Sequence, residues 1–183
     1  YEMLERRARE ERRAAEDDYV RLARRAVETI VRTGKLPPMP AELPKEMAGR
    51  AGIYVTLTRD GTPRGTYGTF EPSAKSIADE ITRNAAHAAR NDTHVAPVTE
   101  EELDALDITV DVLSEPELAG GADALDPKTY GIIAESRGRK GVMLPAAPGI
   151  ETAEEQLRAA RKKAGIPEDA AIRIWRFTSE RHA

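Results

Sequence analysis

A chain of 183 residues can bury one good hydrophobic core, or a main domain with a small subdomain. Its 40% hydrophobic and 33% charged residues argue against a wholly disordered protein, and no apolar run reaches the roughly 20 residues that cross a bilayer. The net charge of -4 gives no electrostatic support for nucleic-acid binding, and zero cysteine excludes disulfides, thiolate nucleophiles and iron–sulfur ligation.

The first 18 residues are dense in Glu and Arg, with alanine between them. This composition favours a helix with i,i+4 ion pairs, but it offers almost no apolar stripe for packing. We therefore expect residues 1–18 to form a charged helical linker. Because the chain begins at Tyr1 without a methionine, an upstream part is expected as well.

From Tyr19 the apolar residues recur at helical spacing, which predicts an amphipathic helix that Gly34 ends. Prolines between residues 36 and 44 then require an extended connector.

Two strand-like segments, residues 53–58 and 64–72, flank an Asp60-Gly61 turn and predict a β-hairpin. Gly65 and Gly68 interrupt the second segment, although glycine weakens the interior of a strand. Two explanations stay open: a backbone or a ligand approaches the sheet closely here, or the strand bends.

A long helix is predicted from an N-cap at Ser73 to about Asn91, with its apolar face toward the core. Asn84 lies on or beside that face, so its amide needs polar partners. The nearest polar groups on the strand are expected around Arg64 and Thr66.

The remaining segments complete the fold prediction. Thr99 and Glu102 match a capping box that opens a short helix. The loop at 118–125, with its paired glycines, indicates a possible subdomain boundary near 118–126. Further segments are a strand (107–114), a second hairpin (131–136 and 141–144), a helix from Thr152 to Gly165, and a last strand (171–178). This order predicts an α+β fold with a mixed or antiparallel sheet and packed helices, as a main domain plus a small subdomain.

Several of these segments together resemble the AMMECR domain family, over about residues 19–181. Residues 64–69, Arg-Gly-Thr-Tyr-Gly-Thr, are similar to the family signature L-R-G-C-I-G-T. Other matches are residues 52–57 to G-V-F-V-T-L, 77–89 to A-E-E-I-I-R-N-A, 98–103 to P-V-T-x-E-E-L, 126–131 to D-P-x-x-Y-G, 139–145 to R-R-G-L-L-L-P, and 154–166 to E-E-Q-L followed by K-A-G-I.

The chain departs from the family pattern at two places. Thr66 stands where the signature has cysteine, and a threonine hydroxyl is a far weaker nucleophile without an adjacent base. The simpler interpretation is that this position is structural and holds a small side chain. After Asp92, Thr93-His94-Val95 replaces the Pro-Arg-Phe of the family's D-P-R-F-P-P-V segment.

A ligand-binding cleft is predicted from the side chains of Arg64, Thr66 and Asn84, with Asp92 and His94 on its rim. The guanidinium and the amide supply donors, so an anionic small molecule is the expected occupant. The alternatives are a structural salt bridge from Arg64 to Glu71 or Asp79, and a loop histidine beside a capping aspartate. The histidines show no ligand spacing, so no metal and no cofactor are expected.

In bacteria and archaea the family appears as protein A of the AmmeMemoRadiSam system. The resemblance therefore implies two partners, a Memo-like protein and a radical-SAM enzyme, and an accessory or binding role in the cytoplasm. The alternative is a small-molecule enzyme whose cleft includes Arg64, Thr66 and Asn84. No nucleic-acid or membrane partner is expected.

Overall fold

The chain has the α+β fold that the sequence predicts, in a computed structural model that describes residues 1–92 and 95–183. It forms two compact units, residues 1–112 with 181–183, and residues 113–180. The segment 118–126 lies inside the second unit. No helix among the described residues is long and apolar enough to span a membrane.

The described residues contain four α-helices and eight strands. The helices are α1 (Glu2–Ala14), α2 (Asp18–Thr33), α3 (Ile77–Arg90) and α4 (Ala153–Ala164). The strands are β1 (Ile53–Arg59), β2 (Thr62–Thr69), β3 (Leu106–Leu113), β4 (Glu117–Leu118), β5 (Gly131–Ser136), β6 (Arg139–Met143), β7 (Arg173–Phe177) and β8 (Ser179–His182).

The first sheet has the strand order β2-β1-β3-β8, and β1 is antiparallel to both β2 and β3. Ile53, Val55 and Leu57 alternate along β1, and all three are fully buried. They belong to one core cluster with the apolar faces of α2 and α3. The period of two along the strand and the helical spacing of α2 and α3 thus meet in one core.

Helix α1 has no buried residue, whereas the chain that follows it is packed. Glu16 is buried and pairs with Arg24 at 2.5 Å. The carboxylate of Asp17 accepts a hydrogen bond from the Val20 backbone and caps α2, and it also contacts His182. The last residues of the predicted linker, 16–18, therefore take part in the structure of the first unit.

Helix α3 begins later than the sequence predicts, with Ser76 and not Ser73 as its N-cap. The cause is Glu80, whose side chain is buried within the first turn of the helix. Ser73 donates to the Glu80 carboxylate from its backbone nitrogen (2.6 Å) and from its hydroxyl (2.7 Å). A buried carboxylate needs such donors, so Ser73 is held outside the helix.

The second unit is built on a sheet of order β4-β7-β5-β6, in which β5 is antiparallel to β6 and β7. Ile132, Ala134, Met143 and Ala160 of β5, β6 and α4 form its core cluster. The predicted loop at 118–125 carries the end of β4 and a short 3₁₀ turn, Ala122–Ala124.

The predicted last strand, residues 171–178, is shorter in the structure, and a further strand follows it. Strand β7 ends at Phe177, and β8 returns to the first sheet beside β3. The Ser-Glu-Arg-His sequence of β8 has no apolar alternation that could have predicted it. Arg181 of β8 instead donates to the buried carboxylate of Asp111 on β3 at 3.0 Å.

Candidate functional site

Strand β2, which carries the signature residues 64–69, has a one-residue irregularity in its pairing with β1. Thr58 pairs with Pro63 and Leu57 with Gly65, so Arg64 is the extra residue of a β-bulge. The bulge shifts the register of every later pair. A regular hairpin on the Asp60-Gly61 turn would place Tyr67 opposite Tyr54, and the bulge places Gly68 there instead.

Both signature glycines are explained by close approach of the protein's own atoms. A Cβ atom at Gly65 would lie 2.0 Å from the carbonyl oxygen of Ala88 on α3. A Cβ atom at Gly68 would lie 2.2 Å from the ring of Tyr54. Burial, and secondarily the neighbouring Tyr67, raises the pKa of Tyr54 to about 12. The space beside both glycines is therefore filled by helix backbone and an aromatic ring.

Arg64 forms an internal ion pair, with a partner that differs from the expected Glu71 or Asp79. Its guanidinium donates to the Glu102 carboxylate at 2.6 and 3.2 Å. Glu102 also closes the predicted capping box with Thr99. Burial opposes ionisation of Glu102, but the hydrogen bonds from Arg64 and Thr99 outweigh it and lower the pKa of this carboxyl.

Asn84 is buried and serves the packing of α3 against the sheet. Its amide donates to the Ile53 carbonyl at 2.9 Å and to the Thr69 hydroxyl at 3.1 Å. Its polar partners therefore lie at the end of the hairpin, and not around Arg64 and Thr66 as expected.

Thr66 and Asp92 meet at the outer edge of β2. The Asp92 carboxylate accepts a hydrogen bond from the Thr66 backbone at 2.8 Å, while Thr66 itself is exposed. An exposed residue does not fill space beside the glycines, so that interpretation of position 66 is wrong. By register, Thr66 pairs with Thr56 on the sheet face opposite to Val55 and Leu57, and therefore opposite to α3.

Thr66 fixes which backbone groups β2 presents outward. Its N–H points to Asp92 and away from β1, so Thr66 occupies a non-hydrogen-bonded position of the ladder. Alternation then places Gly68 in the same orientation, with both its N–H and its C=O directed away from β1. Since β2 is the outer strand of its sheet, these groups lie on an open edge.

A stacked aromatic pair lies beside this edge. The rings of Tyr67 and His87 are 4.5 Å apart and nearly parallel, and His87 Nδ1 is 3.0 Å from the Asn91 amide. Sequence reasoning considered His87 only as a metal ligand. The bulge that brings Tyr67 to this face carries no clear sequence signal, so the pair could not have been predicted.

The structure brings some of the predicted residues together and separates others. Thr66 and Asp92 are in contact, Arg64 pairs with Glu102, and Asn84 is buried on the helix side of the sheet. His94, with Thr93, lies outside the described residues. Within residues 1–92 and 95–183, no three His, Asp or Glu side chains are grouped to hold a metal ion.

Comparison with known proteins places these residues in a family. The AMMECR1 family model matches residues 20–182. A Thermotoga maritima protein is 45% identical over 170 residues, which cover 91% of this chain and 98% of the relative. The Clostridium acetobutylicum protein CA_C1420 is 39% identical over 175 residues, or 94% of this chain and 37% of that longer protein. The crystal structure of the uncharacterized protein PH0010 from Pyrococcus horikoshii superposes with a TM-score of 0.82 at 32% identity, covering 89% of this chain and 88% of that one.

Proposed function

The chain belongs to the AMMECR1 family, and from that premise we propose that it is an accessory binding module. In this proposal an extended segment of a partner protein pairs with the open edge of β2 at Thr66–Gly68. The observation that carries it is the outward orientation of the Gly68 N–H and C=O and of the Thr66 C=O. An exposed strand edge is a template on which another chain can add a strand.

The edge is guarded over one part and open over the next. Pro63 has no N–H to offer, and the Arg64 bulge interrupts the regular spacing that a new strand needs. Asp92 accepts the Thr66 N–H. Beyond these three features, Gly68 presents both of its hydrogen-bonding groups, which directs an incoming segment to the end of β2.

The side chains around this edge favour binding over catalysis. Arg64 is engaged by Glu102, and the buried Asn84 amide is engaged by Ile53 and Thr69. The glycines make room for Ala88 and for the Tyr54 ring. These residues therefore support the shape of the edge, and the backbone of β2 supplies the contacts.

The partners in this proposal are the Memo-like protein and the radical-SAM enzyme that the family resemblance implies. The aligned region is 37% of the Clostridium relative, so a domain of this type occurs there together with further chain, as an accessory module would. The expected cytoplasmic location stays a prediction.

Two variants at position 66 separate a backbone role from a side-chain role. Thr66→Ala keeps the N–H and C=O, so we expect unchanged affinity for the Memo-like or radical-SAM partner in calorimetric titration. Thr66→Pro removes the N–H and places a ring on the edge, so affinity should fall at least about tenfold, while an unchanged thermal midpoint shows that the strand is intact.

A third variant tests the guard. Asp92→Ala exposes the Thr66 N–H to an incoming strand, so partner affinity should rise. Lost binding in Thr66→Ala together with Asp92→Ala would instead favour the small-molecule cleft formed by side chains and would overturn the edge-pairing proposal. Carboxylate and phosphate ligands titrated against Arg64→Ala test that second possibility directly.

A further inference from the structure

The second unit contains a groove that is independent of the β2 edge. It has a volume of about 960 Å³ and lies between the β5–β6 hairpin turn and the segment that follows α4. Its walls come from residues 135–139 and 166–173. This volume is near the upper end of the range, roughly 300–1,000 Å³, that small-molecule sites occupy.

Three arginines line this groove, and two of them have no ionic partner. Neither Arg137 nor Arg173 forms an ion pair or a side-chain hydrogen bond with any residue that the structure describes. Arg139 donates one N–H to the Gly165 carbonyl at 2.6 Å and retains its other donors. Arg137 occupies the left-handed region, with φ of 50°, at a turn position that usually takes Asn, Asp or Gly.

The acidic side chains in the groove do not neutralise these arginines. Glu135 pairs with Lys140 at 3.6 Å, which leaves Asp169 as the one lining carboxylate without an ion pair among the described residues. Three guanidiniums against one such carboxylate leave a local charge of about +2, which matches a phosphate monoester near pH 7. Planar guanidiniums also suit phosphate oxygens, which they can bind in a bidentate manner.

Apolar side chains line the remainder of the groove. Ile166, Pro167 and Ile172 lie in its wall together with Ala170 and Ala171. A free phosphate ion would leave this surface unused, whereas an organic phosphate would cover it. We propose that this groove binds a small phosphate monoester, with its phosphate on Arg137, Arg139 and Arg173 and its apolar body on the 166–172 wall.

Titration of the full chain with phenyl phosphate, inorganic phosphate and benzoate tests this proposal. Phenyl phosphate should bind saturably, and both inorganic phosphate and benzoate at least about tenfold more weakly, because the first lacks the apolar body and the second carries a single charge. Added salt should weaken the phenyl phosphate complex. Absence of saturable binding, or equal affinity for benzoate, would overturn the proposal.

Matched variants locate the site. Arg137→Gln and Arg173→Gln should each weaken phenyl phosphate binding about tenfold, and Asp169→Asn should strengthen it, because a carboxylate repels the dianion. Lys128→Gln is the control, since Lys128 lies in the same unit on the surface, paired with Glu151 and outside the groove. An equal loss in Lys128→Gln would reduce the effect to net charge and contradict a built site.

Discussion

Glycines set the distance at which each long helix approaches its hairpin. Gly65 meets the Ala88 carbonyl of α3, and Gly141 meets the Ala160 carbonyl of α4, where a Cβ atom would lie only 2.0 and 1.9 Å away. The neighbouring atom in each case is backbone, which cannot move aside as a flexible side chain can. These positions therefore require glycine because of packing.

We predict that Gly65→Ala destabilises the protein by about 3 kcal/mol, since overpacking a close contact costs this much or more. Gly49→Ala is the control, because a Cβ atom there meets open space and the backbone needs no positive φ. Urea denaturation of both variants measures the difference. Similar midpoints for the two would show that α3 can retreat from β2.

Glu102 should give the protein a stability that depends on acid pH. Its pKa is lowered in the folded state from an ordinary value of 4.5, so its contribution is complete above that pH and disappears as the pH falls through the lowered value. Glu102→Gln should therefore be less stable than wild type at pH 7, and the gap should close below about pH 4.

Thermal unfolding followed from pH 7 to pH 3 measures this gap. Glu101→Gln removes the same charge at the next, exposed residue and should leave the pH profile of wild type unchanged. A gap between wild type and Glu102→Gln that stays constant with pH would contradict the ion-pair explanation.

The signature strand shows how far single residues could be interpreted from sequence. The alternative of a bend or a close backbone approach at Gly65 is correct, because both are local consequences of glycine in a strand. The partner of Arg64 could not be predicted, since Glu102 is 38 residues away and its capping role gave no hint of a second contact. Non-local pairing depends on the fold, and composition does not encode it.

Among the elements, α1 and α2 differ in what attaches them to the first unit. Helix α1 is held by exposed ion pairs such as Arg12–Asp107 and Arg13–Asp104, together with one hydrogen bond from Arg13 to the Leu103 carbonyl. Such pairs contribute little. Helix α2 begins at a capping carboxylate and carries buried Val20 and Val27. Its start is therefore the point at which the packed domain begins.

Deleting residues 1–14 should leave the thermal midpoint nearly unchanged, because only exposed contacts are lost. Deleting residues 1–17 removes the Asp17 cap, which costs about 1 kcal/mol, and leaves Arg24 without Glu16. The longer deletion should therefore melt several degrees lower. Equal midpoints would place the domain boundary after Asp17, and an early drop would show that α1 is packed.

Element types were predictable from periodicity, and their limits were less so. Helix α4, with Thr152 as N-cap and Gly165 as C-cap, lies where the sequence predicts it, because both caps are local signals. Helix α3 starts at Ile77 since buried Glu80 recruits Ser73 from a distance of seven residues. Strand β8 has no apolar pattern, because an ion pair with Asp111 secures it in place of apolar burial.

At the scale of the whole molecule, the two units use the same packing device, although their sequences show no repeat. In each, a helix amide donates to a carbonyl at the start of the hairpin: Asn84 to Ile53 in the first, Gln156 to Tyr130 in the second. Four residues later, a helix carbonyl meets the glycine of the second hairpin strand. The shared feature is geometric, and it involves too few residues to appear as a sequence period.

Each amide should stabilise its own unit. Asn84→Ala and Gln156→Ala each leave a hairpin carbonyl without its donor, at a cost of roughly 1–3 kcal/mol. Hydrogen exchange read by mass spectrometry should show lost protection in residues 53–69 for the first variant and 131–143 for the second. Loss of protection in both regions for either variant would show that the units unfold together.

Strand β8 has a consequence for the order in which the protein is made. It completes the first sheet beside β3, yet roughly 70 residues of the second unit separate β3 from it along the chain. A ribosome adds roughly 5–20 residues per second, so β3 waits several seconds in the nascent chain before its neighbour exists. During that interval Asp111 has no Arg181 to neutralise it, and its negative charge guards the exposed strand against mispairing until synthesis delivers the intended neighbour.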